Sequence, residues 1–282
     1  MANRHFANLG DVWKHLLLAE VLRLNPPQHY WETHAGSPTY PLSESPARLH
    51  GALRFLAYAS SDPDLLGCGY MEALQAQPGI YPGSPAIAVR QLGAKASYLF
   101  CETESESVAA LRLATLHHDA RVVEGDGVVA IAREMARRRV EPGSVLVHID
   151  PYDPRERLST SAMTPLELAA SAARQGYRLF YWYGYDSMRE RGWASDAISR
   201  LAPGIDVWCG DMLMPAPFIY PERMGPWGCG VVLANMTAIE ATTCAQLGVV
   251  LERISAGDVA TDNEPSCSSF TIISGRSNAR AV

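Results

Sequence analysis

From residue 97 onward, strand-length apolar runs alternate with stretches of helical period. Ser97–Cys101 reads as a strand and Ser105–His117 as a helix; Arg121–Glu124 and Gly127–Arg139 repeat the pair, and Ser144–Ile149 is a further strand. Thr164-Pro165-Leu166-Glu167 is a capping box opening a helix that Gly176 closes, and Arg178–Tyr183 is the next strand. Strands alternating with helices predict an α/β fold with a mostly parallel sheet, joined by right-handed crossovers with helices on both faces. Upstream, Val12, His15, Leu16, Ala19 and Leu22 recur at helical spacing within Asp11–Leu24, and Asn25-Pro26-Pro27 ends that helix. His29–Gly36 reads as a short aromatic strand ending in a glycine turn. Residues 41–80, rich in Pro, Gly and Ser around one helical stretch near Ala47–Ala59, read as a small helical insertion into a single domain spanning 1–282. Ser84 is expected to cap a helix with Pro85 as its first residue. Ile205–Cys209 and Gly230–Leu233 read as late strands, an antiparallel pair being one arrangement, and SGRSNARAV as a frayed tail.

With 282 residues and 48% hydrophobic content, the chain can bury a full core, and 19% charged residues argue against wholesale disorder. The formal charge of -6 argues against a broad phosphate-gripping surface while leaving room for a local basic patch. The opening MANRHFANLGD has no signal-peptide apolar core, and no apolar run approaches a membrane span, so a cytoplasmic protein without membrane contact is expected. Cys68, Cys101, Cys209, Cys229, Cys244 and Cys267 are scattered without zinc spacing, which predicts reduced thiols and no metal.

In an open parallel sheet, ligands bind beyond the carboxyl ends of the strands. Thr33-His34-Ala35-Gly36, Glu102, Asp126-Gly127 and Asp150-Pro151-Tyr152 each follow a predicted strand. That order suits an adenosine-bearing cofactor: a glycine turn for close backbone approach, an acid for the ribose hydroxyls, an acid for the adenine amine. Each acid alone reads equally as a helix cap. GxGxxG, GxxxxGK[ST] and GxSxG are all absent, which disfavours a dinucleotide site, a P-loop and a serine hydrolase.

Taken together, NLGDVWKH at 8–15, ETHAG at 32–36, YPGSP at 81–85, Glu102, EGDG at 124–127 and IDP at 149–151 resemble, in order, the bacterial 23S rRNA adenine-N6 methyltransferases of the RlmJ type. The resemblance covers roughly the first 150 residues. It implies a Rossmann-like class I methyltransferase fold with a helical insertion after the first core strand, and S-adenosyl-L-methionine as cofactor. It places His15, His34, Ser84, Glu102, Asp126, Gly127 and Asp150 at the cofactor, with Asp150 and Lys14 as the catalytic pair and 23S rRNA or a related RNA as the partner. The chain departs from the family where the base is read: DPPY is replaced by Asp150-Pro151-Tyr152-Asp153, the family's N-terminal tyrosine has no counterpart, and Leu9 stands where the GNHAD run has histidine.

Tyr152, Asp153 and Tyr183 are the candidate substrate contacts. Alternate members of Tyr181, Trp182, Tyr183 and Tyr185 would line a pocket for a flipped base or a cation, or else fill the core. Arg137-Arg138-Arg139 reads as a solvated helix end or a phosphate contact. The added acid Asp153 suits an amine or cationic small molecule, so a small-molecule enzyme, one consuming the cofactor by another route included, stands as the alternative. A noncatalytic relative that binds the cofactor or RNA is the other.

Overall fold

The computed structural model describes residues 6–153, 155, 162–214, 227–256 and 271–274. Cys267 and the tail beyond Ser274 lie outside the described residues. Helix α1 (Leu9–Leu24) begins before the expected Asp11, because the Asn8 side chain accepts the Asp11 N–H and caps it. Strand β1 (His29–Glu32) follows, then a short antiparallel pair, β2 (Thr39–Pro41) and β3 (Ile80–Pro82). Between these last two lie α2 (Pro46–Leu49), α3 (Ala52–Ala59), α4 (Pro63–Leu66) and α5 (Gly69–Gln75). The single helix expected near 47–59 is broken at Gly51, where a Cβ would collide with the Ala7 carbonyl.

Helix α6 (Ser84–Leu92) leads into β4 (Ser97–Glu102), α7 (Ser105–Ala114), β5 (Ala120–Glu124), α8 (Gly127–Arg137), β6 (Val145–Ile149), α9 (Pro165–Arg174) and β7 (Arg178–Tyr185). The α9 capping box and the positive φ of Gly176 are present as the residues predicted. Helix α8 stops at Arg137, since Arg138 turns left-handed. Then come α10 (Trp193–Leu201), β8 (Val207–Met214), β9 (Trp227–Ala234), α11 (Ala238–Ala256) and β10 (Thr271–Ser274).

One eight-stranded sheet runs β10-β8-β9-β7-β6-β1-β4-β5. The segment from β5 to β7 is parallel, whereas β9 lies antiparallel to both β7 and β8. This is a Rossmann-like α/β topology, as the alternation of strands and helices predicts. One apolar cluster packs α1, α5 and α6 on one face of the sheet; a second packs α8, α9 and α10 on the other. The period-2 alternation of strand side chains assigns each residue to a face. Tyr30, Phe100 and Phe180 face α1, while Trp31, Tyr181 and Tyr183 belong to the opposite cluster.

Candidate functional site

Parallel strands deliver their carboxyl ends to one edge, and the four polar signatures meet there. The turn after β1 is held from both sides. Gly36 sits at φ 64°, in the left-handed region that glycine enters without strain, and its N–H donates to Glu102 Oε2 at 2.7 Å. The other Glu102 oxygen accepts the N–H groups of Thr103 at 2.7 Å and Glu104 at 2.9 Å. The start of α8 presses on the same turn: a Cβ on Gly127 would collide with the Thr33 carbonyl. Asp126 Oδ1 caps α8, accepting from Val128 N at 2.9 Å and Val129 N at 3.2 Å.

His34 lies amid these acids. Burial pulls its imidazole below the ordinary value, against the opposing pull of Asp150, Glu102 and Asp126. Its Nδ1 meets Thr33 Oγ1 at 2.6 Å. Across the edge, the N-terminal half of α1 brings Lys14 onto the residue following β6. Lys14 Nζ lies 2.5 Å from Asp150 Oδ2 and 3.2 Å from Asp11 Oδ1. Burial works against the ammonium charge, but the two carboxylates outweigh it and raise Lys14 above the usual lysine range. Burial likewise raises Asp11, although Lys14 opposes the shift. The Trp182 ring lies 5.6 Å from Lys14 Nζ, within cation–π range.

Behind the ion pair, His15 is buried. Its Nδ1 meets the Tyr81 hydroxyl at 2.7 Å, and Tyr81 is linked to Tyr70 at 3.2 Å. Burial, with Lys14 and His148 adding to it, holds His15 well below the ordinary histidine value, so it is neutral. Ser84 is not the cap of α6: Gly83 takes that position, and Ser84 Oγ donates at 2.5 Å to Glu32, which is fully buried at the end of β1.

Tyr183, one of the expected substrate residues, is not brought to this site. Tyr183 faces away from Lys14 because alternation along β7 puts Trp182 there instead. Its ring is fully buried, and its hydroxyl donates to Asp211 in a very short hydrogen bond. Tyr152 is 75% exposed. Asp153 is exposed too, and its Oδ1 accepts the Arg155 N–H at 2.9 Å, closing the local turn. Arg137 pairs with Glu134 at 2.9 Å on an exposed helix end.

Sequence reasoning missed Asp11, Glu32, His148 and Tyr30, and preferred Tyr183 to Trp182. For Asp11 the signal was its place in DVWKH, one helical turn before Lys14. For Glu32 and His148 it was a charged or polar residue in strands otherwise built to be buried.

The described cysteines are all free and buried; burial pushes the Cys68 thiol up to about 11 and Cys101 to about 12. Among the described residues, no group of three His, Cys, Asp or Glu could hold a metal ion, and no helix is long and apolar enough to cross a membrane.

An edge of acids relieved by one lysine fits a ligand carrying a cation and several hydrogen-bond donors. S-Adenosylmethionine is such a ligand, with a sulfonium, two ribose hydroxyls and an adenine amine. Glu102 suits a ribose hydroxyl: of the about four lone-pair sites of a carboxylate, Oε1 spends two on Thr103 and Glu104 and Oε2 one on Gly36, which leaves one on Oε2.

No protein-family model matches the chain, and no curated relative matches it either. Among solved structures, the chain shares its fold with protein LPL1258 of Legionella pneumophila, of family DUF519, at TM-score 0.74 and 21% identity; the match covers 97% of this chain and 99% of that one. Looser neighbours include a SAM-dependent methyltransferase of Agrobacterium tumefaciens (TM-score 0.43, 11% identity, 79% of this chain and 61% of that one). Another is a probable spermidine synthase of Corynebacterium glutamicum (TM-score 0.44, 10% identity, 92% and 84%).

Proposed function

We propose that the protein is an S-adenosylmethionine-dependent N-methyltransferase acting on an adenine amine in 23S rRNA or a related RNA. The observation that carries this reading is the gathering of Glu102, Asp126 and Asp150 about His34 at the carboxyl edge of the sheet, with Lys14 clamped on Asp150. When bound, the cofactor supplies an electrophilic methyl on a sulfonium. Glu102 accepts a ribose hydroxyl, Asp126 receives the adenine amine, and His15, His34, Ser84 and Gly127 complete the cradle directly or through neighbours. Asp150 accepts a hydrogen bond from the acceptor amine and orients its lone pair. Lys14, held protonated by two carboxylates, is no base; its ion pair fixes the orientation of the Asp150 carboxylate.

Calorimetry with S-adenosylmethionine tests the reading. The wild type binds, and Glu102→Ala weakens binding by at least tenfold, about 1.4 kcal/mol. Unchanged affinity in the variant overturns the assignment.

A second reading, a small amine as acceptor, is favoured by the Asp11, Asp150 and Trp182 groups surrounding the Lys14 ammonium, since two acids and an indole suit a cationic amine. Filter binding to ribosomal RNA fragments decides between the two. RNA binding that weakens steeply with salt supports the first; absence of binding at low salt, with the cofactor still bound, replaces it with the second.

A further inference from the structure

Beneath the site lies a polar network of which the reading above uses only Ser84. The ends of β1 and β6 pair in register, Glu32 opposite His148, and both side chains are fully buried on the α1 face. Glu32 Oε1 accepts from Ser84 Oγ at 2.5 Å and lies 3.0 Å from His148 Nδ1, while Glu32 Oε2 accepts from the Tyr30 hydroxyl at 3.2 Å. The Tyr30 oxygen is also 2.7 Å from His148 Nδ1. One hydrogen arrangement satisfies all of these: His148 donates through Nδ1 to Tyr30, and Tyr30 and Ser84 donate to Glu32. His148 is locked further by its ring, edge-on against Phe180 at 5.1 Å.

The same histidine holds the cofactor turn through its backbone. The His148 carbonyl accepts the Thr33 N–H at 3.1 Å and the Thr33 hydroxyl at 3.4 Å, and Thr33 in turn contacts the His34 ring. His148 is thus the residue at which the side-chain network and the Thr33–Gly36 turn meet, one residue removed from Asp150's neighbour Ile149. A carboxylate fully out of water is costly unless its acceptor sites are filled, and here Ser84 of α6 and Tyr30 of β1 donate to it, with His148 of β6 joined through Tyr30. Fixing Glu32 therefore fixes β1, β6 and the first turn of α6 relative to one another.

We propose that His148, with Tyr30, is a positioning residue for the cofactor turn, and that Ser84 acts on the cofactor through Glu32 and not by touching it; this rests on the S-adenosylmethionine reading above. A purely structural network would lower stability and leave the affinity of the folded protein untouched. A positioning network makes its members' effects on affinity merge, because removing any one releases the same turn.

The experiment is calorimetry with S-adenosylmethionine on the full chain, with thermal unfolding recorded alongside. The expected result is that His148→Phe and Ser84→Ala each weaken binding about tenfold, about 1.4 kcal/mol. The double variant should be no weaker than the worse single one. His148→Asn, which keeps a donor near the Nδ1 position, should restore affinity to within about threefold, about 0.7 kcal/mol. Tyr30→Phe, which removes one oxygen, carries the same test if His148→Phe does not fold. Additive losses, or variants that unfold earlier yet bind as tightly as the wild type, overturn the proposal and leave the cofactor reading standing. A wild type that binds no S-adenosylmethionine overturns both.

Discussion

At the residue scale, Lys14 and Asp150 set what the site can do. An ammonium held by two largely shielded carboxylates stays charged across the working pH range, so a rate profile has no lysine limb near neutrality. Asp150→Asn keeps the shape of the edge and loses the charge that orients an amine. Cofactor binding by calorimetry should persist within a few fold, while turnover, read as S-adenosylhomocysteine formed, falls by about 10² or more; a fully active variant removes Asp150 from the mechanism. The buried histidines give a second prediction. His15 and His34 are both held below the ordinary value near 6.5, so the unfolded chain binds their protons more readily than the native one. Their contribution to stability is present above about pH 6.5 and is lost as pH falls below it toward the depressed native values. Urea midpoints measured from pH 7.5 to 5 should fall, and His15→Asn should flatten that slope; a slope equal to the wild type's contradicts the assignment of His15. At this scale the sequence was only partly legible. Glu102 and Asp150 could be placed because each follows a strand end, and Lys14 because of the family resemblance of the DVWKH run. Tyr183 was chosen over Trp182 because four neighbouring aromatics do not reveal the phase of the alternation; only the packing of α1 on one face decides it.

At the element scale, the turn after β1 is narrow because α8 begins against it. Gly127→Ala should therefore act on the turn more than on the helix, since alanine is the better helix former while its methyl meets the Thr33 carbonyl. The expected outcome is weaker cofactor binding, by tenfold or more (about 1.4 kcal/mol), with far-UV circular dichroism unchanged; wild-type affinity would show that α8 simply shifts aside. Element boundaries were legible where local chemistry announces them, as at the Thr164 capping box and Gly176. They were not legible in residues 41–80, where α2 and α3 are parted by the contact of Gly51 with Ala7, a pairing across more than forty positions that no local window contains. Likewise α10 and α11 went unforeseen: α11 packs on α1 and the distal strands, so its apolar positions do not fall on one stripe.

At the scale of the whole molecule, the parallel half of the sheet followed from the alternation of periods, whereas its strand order β5-β4-β1-β6-β7 is read from the structure alone. The antiparallel insertion of β9 between β7 and β8 did not follow either, because pairing partners in the distal half are set by burial of both faces. A buried ion pair ties the two halves together. Arg178, at the start of β7, donates to Glu240 of α11 at 2.5 Å and to the Asn25 carbonyl after α1 at 2.8 Å. Both side chains are almost wholly shielded from water. Removing one partner strands the other, so Glu240→Ala should cost about 3–5 kcal/mol, read as a large drop in the urea midpoint. A change below about 1 kcal/mol, the range of an exposed pair, would mean that solvent reaches Arg178.

The burial of α1 has a consequence for how the protein is made. This helix is hidden along almost its whole length, and much of what hides it is α11, β8 and β9, which follow it by most of the chain. At a synthesis rate of ~5–20 residues per second, its apolar surface waits on the order of tens of seconds for its cover. During that interval, Leu16, Leu17, Leu18 and Val21 are a binding site for a holding chaperone, or a point of aggregation when none is present. The helix that closes the candidate site thus emerges well before the elements that complete its cover.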